Sequence, residues 1–225
     1  MINNIVHIFY VKQNGILTDD VFRQFFLQLP QFLQQEIAEY KHKQTAQSSL
    51  LGKIILRAAF HKLGFLHTLN EIKTTTKGRP FINDTVDFNI SHSGDYVVCA
   101  ISTIRKVGID IEKHRVLTLN IAERYFTNEE CNFIEASIHP HISFFDFWAI
   151  KESAIKCDGR GVEVLQKTYI ENVKQINTQS TNSIICTGNK YFFHPFFLDE
   201  GYSSAVCATA PFAVKITEFK IHELG

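Results

Sequence analysis

The sequence lacks an excess of charge of either sign: Lys plus Arg and Asp plus Glu each number 23 in 225 residues. A balanced chain sets up no global field, so neither broad attraction to nucleic acid nor an acidic solvating tail is expected, and any charged ligand falls to local clusters. It also lacks a CxxC pair. Its five cysteines, at 99, 131, 157, 186 and 207, are odd in number, which argues against a disulfide framework or a zinc knuckle and for reduced thiols in the cytosol. No segment approaches the ~20 apolar residues of a spanning helix, and MINNIVHIFYV has no basic n-region, so the chain start reads as a first strand. Low-complexity segments are missing too, and the polar run KQINTQSTNS at 174–183 reads as a surface loop or hairpin turn. The expectation is a cytoplasmic monomer with neither nucleic acid nor membrane as a partner.

What the chain does have is 45% hydrophobic residues, twenty of them Phe, enough for one large core or two small ones. Apolar residues at helical spacing predict two helices between Asp19 and Tyr40 around a break at Pro30. SSLLGKIILRAAFHKLG predicts a buried helix capped by Gly64. KGRPF then reads as a turn, DFNI as a short strand, SHSGD as a tight connection, and YVVCAIS and VGIDIE as two further strands, three neighbours in all. Thr127 with Glu130 three residues on is a capping-box pattern opening a helix to Ile138, and another helix is predicted over 144–157. GDYVVCA at 94–100 and GYSSAVCA at 201–208 echo each other, each after a long helix. That order of elements predicts an α+β fold of two similar halves in a pseudo-twofold arrangement, each a long helix on a small antiparallel sheet. The halves are expected to span 1–105 and 106–225, with the active site between them.

The chemistry is concentrated in two segments. In VGIDIEKHR the apolar Val107, Ile109 and Ile111 share one strand face, which puts Asp110 and Glu112 together on the other. Such a pair is either the solvated face of an edge strand or a seat for a hard cation. In FFDFWAIKESAIKCDGRG, Phe145, Trp148, Glu152 and Ile155 form one helical stripe, so Glu152 lies among aromatic residues. A buried carboxylate needs a partner, and an ordinary pair with Lys156 contributes only roughly 0.2–0.5 kcal/mol. If Glu152 meets Asp110 and Glu112, three carboxylates converge, and oxygen-only ligands suit Mg²⁺. Arg79, Ser91, His92, Lys151 and Lys156 supply candidate phosphate contacts nearby, which points to a pyrophosphate compound as substrate.

Taken together, GRP at 78–80, FNISHS at 88–93, VGIDIE at 107–112 and FWAIKESAIKCDGRG at 147–161 resemble the motifs of the 4′-phosphopantetheinyl transferases of the surfactin-synthetase-activating type. The resemblance implies transfer of the phosphopantetheine arm of coenzyme A to a serine of an apo acyl or peptidyl carrier protein, with release of adenosine 3′,5′-bisphosphate. It implies Mg²⁺ ligation by Asp110, Glu112 and Glu152 and coenzyme A contacts from Gly78, Arg79, Pro80, Ser91, His92, Lys151 and Lys156. Glu152, in an aromatic helix stripe between two lysines, is the best single candidate for the base, a water held by Asp110 or Glu112 being the alternative. Glu130 already has a capping role and is not assigned to the reaction. Phe32, Gln35 and Ser48 stand where family members often carry basic residues for the nucleotide end. A Mg²⁺-dependent pyrophosphate hydrolase and a non-catalytic coenzyme A or carrier-binding module are the competing readings.

Overall fold

Two long apolar helices each need a surface to cover, and in the computed structural model, which describes residues 4–83, 85–103, 106–116, 122–176 and 182–224, each covers its own sheet. The first half runs β1 (Ile5–Lys12), α1 (Asp19–Phe26), α2 (Gln31–Ala38) and α3 (Lys43–Lys62). A small hairpin, β2 (Lys73–Thr74) and β3 (Pro80–Phe81), follows, then β4 (Asp87–Ser93) and β5 (Tyr96–Ser102). The second half runs β6 (Val107–Lys113), α4 (Ala122–Tyr125), α5 (Asn128–Ala136), α6 (Pro140–Asp158), β7 (Thr168–Ile170), β8 (Asn182–Cys186), β9 (Asn189–Pro195) and β10 (Tyr202–Ala208), and β11 (Ala213–Glu218) ends the series.

The repeat expected from the Val-Cys-Ala echo is visible in the strand order. The first sheet is ordered β11-β1-β5-β4 and the second β6-β10-β9-β8-β7, so in each half an opening strand pairs antiparallel with the last strand of a hairpin that follows the long helix. Cys99 of β5 and Cys207 of β10 are buried at equivalent places, and all five thiols are free. The architecture is α+β with two similar halves.

Burial sorts into four layers. Leu50, Leu51 and Ile54 of α3 pack on Phe9, Phe88 and Cys99 of the first sheet, and Phe145, Ile150 and Ala154 of α6 pack on Phe193, Ala205 and Cys207 of the second. Between the sheets, Val6, Ile8, Val98 and Ala100 meet Val107, Ile109, Ile111 and Val206, so the sheets stack face to face with the helices outside. Close approach of α6 to β6 requires a glycine: a Cβ on Gly108 would lie 2.1 Å from Ser153 O and 2.4 Å from Cys157 N. Gly52 of α3 plays the matching part against Ile90 of β4.

Several sequence expectations are modified. The three consecutive strands are not one sheet: β4 and β5 pair, while β6 starts the second sheet as its edge. The SHS of SHSGD belongs to β4, and only Gly94 and Asp95 turn. The last strand, β11, pairs parallel with β1, so the stretch from 106 to 225 is not closed on itself. The boundary at 105 and part of the polar run at 174–183 lie outside the described residues. Among the described residues, no helix is long and apolar enough to cross a membrane.

Candidate active site

The two sheets meet at two edges, β4 and β6, and the side chains of β4 alternate in what they serve. Phe88 and Ile90 face α3, while Asp87, Asn89, Ser91 and Ser93 face the second sheet. Asp87 accepts from the Val107 N–H at 2.7 Å, Asn89 from Ile109 at 2.9 Å and Ser93 from Lys113 at 3.0 Å. Edge amides that would otherwise be unpaired at the buried sheet junction are thereby satisfied, and β6 is fixed in register against β4. Since Val107, Ile109 and Ile111 turn into the inter-sheet core, Asp110 and Glu112 turn toward α6, which carries Glu152.

These elements form a cleft of about 370 Å³ lined by Ile90, Ser91 and His92 from β4, Asp110, Ile111 and Glu112 from β6, and Trp148, Glu152 and Lys156 from α6. Lys156 Nζ donates to Asp110 Oδ1 at 2.6 Å and to Ser91 Oγ at 3.0 Å, and Ser91 Oγ donates to the same Asp110 oxygen at 2.9 Å. Asp110 is only 3% exposed, and its other oxygen, Oδ2, is buried with no hydrogen-bond partner among the described residues. An orphaned buried carboxylate oxygen is costly and marks a place for a ligand.

Burial is the largest influence on the cleft's carboxyls, and crowded negative charge is the second. Burial, then the neighbouring Asp110, pushes the Glu112 carboxyl up to about 7, with Arg115 and Lys156 opposing and Glu152 adding to the rise. Burial and Asp110 likewise raise Glu152, against Lys156. Lys156 spends two hydrogen bonds on Asp110 and Ser91, and its effect on Glu152 is outweighed by burial and Asp110. His92, at the cleft rim, is lowered first by burial of its inner side and then by Lys156 and Lys53, with Asp110 opposing. It is a neutral hydrogen-bonding ring at pH 7.

The cleft thus gathers Ser91, His92, Asp110, Glu112, Glu152 and Lys156 from the residues singled out in the sequence. Lys151 is not among them, which corrects its expected contact with coenzyme A. One residue from Glu152 is a 100° turn of the helix, and Lys151 Nζ points inward to Tyr125 O at 2.7 Å and Glu130 Oε2 at 3.0 Å, over the Phe126 ring. Glu130 is 0% exposed; besides Lys151 it accepts from the Thr127 and Ile170 N–H groups, so the capping box is also a buried structural node.

Gly78, Arg79 and Pro80 lie outside the cleft lining, in the β2–β3 hairpin, where Gly78 takes φ +84°. Arg79 has all five guanidinium N–H groups engaged: Nε with Lys156 O, Nη1 with Asp87 Oδ1 and Pro80 O, Nη2 with Asp87 Oδ2 and Val107 O. This differs from the expected phosphate contact, because no donor is left over. Arg79 instead clamps the hairpin, β4, β6 and the end of α6 together. Sequence reasoning missed Asp87 and Asn89, although the alternating polar residues of DFNISHS were a readable signal. Ser48 is buried and accepts from Gln13 Nε2 at 3.0 Å, while Phe32 and Gln35 are exposed on α2.

Asp110, Glu112 and Glu152 share the cleft walls without converging: among the described residues, no three His, Cys, Asp or Glu side chains form a ready metal-ligand group. Their chemistry still fits a hard cation. The set is all oxygen, two carboxyls are raised by burial and by the nearby Asp110, and one buried oxygen has no partner among the described residues.

Comparison with known proteins places the chain in a family. Residues 106–210 match the family model described as 4′-phosphopantetheinyl transferase superfamily, and residues 18–104 match 4′-phosphopantetheinyl transferase, N-terminal. The 4′-phosphopantetheinyl transferase gsp of Aneurinibacillus migulanus is 30% identical over 230 residues, 97% of this chain and 93% of that protein. The 4′-phosphopantetheinyl transferase Sfp of Bacillus subtilis is 32% identical over 197 residues, covering 84% and 87%. The L-aminoadipate-semialdehyde dehydrogenase-phosphopantetheinyl transferase of Xenopus laevis is 28% identical over 184 residues, 74% of this chain and 59% of that protein. The relatives cover both halves and the cleft between them, and the chain belongs to the 4′-phosphopantetheinyl transferase superfamily.

Proposed function

We propose that the cleft between β4, β6 and α6 is where this chain carries out its family's reaction, moving the phosphopantetheine arm of coenzyme A onto a serine hydroxyl of an apo carrier protein. The serine oxygen bonds to the phosphorus that bears the pantetheine arm, the bond from that phosphorus to the bridging oxygen breaks, and adenosine 3′,5′-bisphosphate leaves. The observation that carries the assignment is the buried, unpartnered Asp110 Oδ2 in a cleft that also presents Ser91, His92 and Lys156.

In this reading Asp110, Glu112 and Glu152 hold Mg²⁺, which when bound neutralises charge on the pyrophosphate. Lys156 and Ser91 orient Asp110, the third ammonium N–H of Lys156 is left to donate to a phosphate oxygen, and neutral His92 donates at the rim. Glu152, whose raised pKa gives it proton affinity closer to neutral pH, takes the serine proton. Trp148 walls the cleft on the α6 side. Gly78, Arg79, Pro80 and Lys151 shape the site from outside its lining. A monomer acting in the cytoplasm, without nucleic acid or membrane, belongs to the same proposal.

The test is an intact-mass assay with coenzyme A, Mg²⁺ and a panel of apo carrier proteins. Addition of one phosphopantetheine to one serine, lost in Asp110→Asn, supports the assignment. Cleavage of coenzyme A without a carrier would favour a hydrolase, and binding without transfer to any carrier would favour a binding module.

A further inference from the structure

The series of side-chain caps along β6 has a gap, and the gap opens into the cleft. In an antiparallel pair with β10, the amides of β6 alternate between the two edges of the strand. His114 N–H bonds to Gly201 O, beyond the start of β10, whereas Val107, Ile109 and Lys113 turn the other way and each meets a β4 side chain 20 residues earlier. By that alternation the Ile111 N–H also faces β4, and the side chain at its place in the series is Ser91. Yet Ser91 Oγ donates to Asp110 Oδ1 and accepts from Lys156 Nζ. Among the described residues, no side chain caps the Ile111 N–H, and Ile111 lines the cleft.

Ile111 is 1% exposed, and an amide withheld from both water and protein costs free energy comparable to a lost hydrogen bond. The cleft needs such a donor. Three carboxylates line it, while two of the three N–H groups of its lysine are already given to Asp110 and Ser91. A backbone N–H between Asp110 and Glu112 offers an anionic oxygen a fixed donor that brings no further side chain into the site. We propose that the Ile111 backbone N–H donates a hydrogen bond to a pyrophosphate oxygen of coenzyme A, so that the register of β6, held by Asp87, Asn89 and Ser93, aims this donor. The inference rests on the assignment of the cleft to coenzyme A made above.

The experiment is NMR on the full-length ¹⁵N-labelled protein with coenzyme A and Mg²⁺. The expected result is a downfield shift of the Ile111 amide proton and a through-hydrogen-bond coupling to a coenzyme A ³¹P nucleus, with neither at Ile109. In parallel, replacing residue 111 by its α-hydroxy acid, which turns the N–H into an ester oxygen, should weaken coenzyme A binding by about 10-fold or more, as for loss of a hydrogen bond to a charged group. The same replacement at position 216, on the outer strand β11 and outside the cleft lining, should leave affinity within about 2-fold. An unmoved Ile111 amide in a protein whose Ser91, His92 and Lys156 signals respond to coenzyme A would overturn this inference alone. Unmoved signals at all four residues under saturating coenzyme A would overturn the assignment of the cleft as well.

Discussion

Replacing Glu112 by Gln should stabilise the metal-free protein at alkaline pH and leave it unchanged in acid. The folded chain holds the Glu112 carboxyl at about 7, against an ordinary 4.5, chiefly through burial and Asp110. A carboxyl with a raised folded pKa keeps its proton in the folded state after the unfolded chain has released it. Stability is therefore greatest below about 4.5, falls as pH rises toward 7, and stays low above that. The displacement corresponds to a penalty of about 3 kcal/mol at pH 8. With its side chain 19% exposed, Glu112 calls for only a modest discount for solvent screening. Gln keeps the shape without the charge, so in EDTA at pH 8 Glu112→Gln should melt roughly 6–12 °C above the wild type, and at pH 4 the two should coincide. Added Mg²⁺ should narrow the pH 8 gap by supplying the missing counter-charge. Thermal unfolding followed by circular dichroism reads all three conditions. Equal melting temperatures at pH 8 in EDTA would refute the account of a repulsive, unloaded carboxylate cluster.

Glu152→Gln should lower phosphopantetheine transfer by at least ~10²-fold in the mass assay, and near-normal transfer would remove Glu152 from both its proposed roles. Lys151→Met leaves the fully buried Glu130 without its counter-charge and should cost roughly 3–5 kcal/mol in urea unfolding; weaker coenzyme A binding at unchanged stability would instead return Lys151 to the site. Gly108→Ala forces a methyl group into the α6 backbone, and soluble, fully active protein from that variant would contradict the packing of α6 on β6.

Much of this molecule was settled by local pattern. Alternation in VGIDIE set Asp110 and Glu112 on the face opposite Ile109 and Ile111, the helical stripe aligned Trp148 with Glu152, and the Thr127–Glu130 capping box formed as spelled. These features follow from the strand and helix periods, which the chain carries wherever it folds. The same helix period already separated Lys151 from Glu152, but only the tertiary structure supplied the buried Glu130 that receives it. Sheet membership was not legible either. Nothing local to β6 says that it leaves its neighbour β5 to start a second sheet, and nothing in β11 says that it returns to β1. Strand pairing is chosen by burial and hydrogen bonding between segments far apart in sequence, and that choice also decided the site. It brought the Arg79–Asp87 clamp and the polar side of β4 against β6, turned a sheet edge into a cleft wall, and left one carboxylate oxygen there without a partner among the described residues.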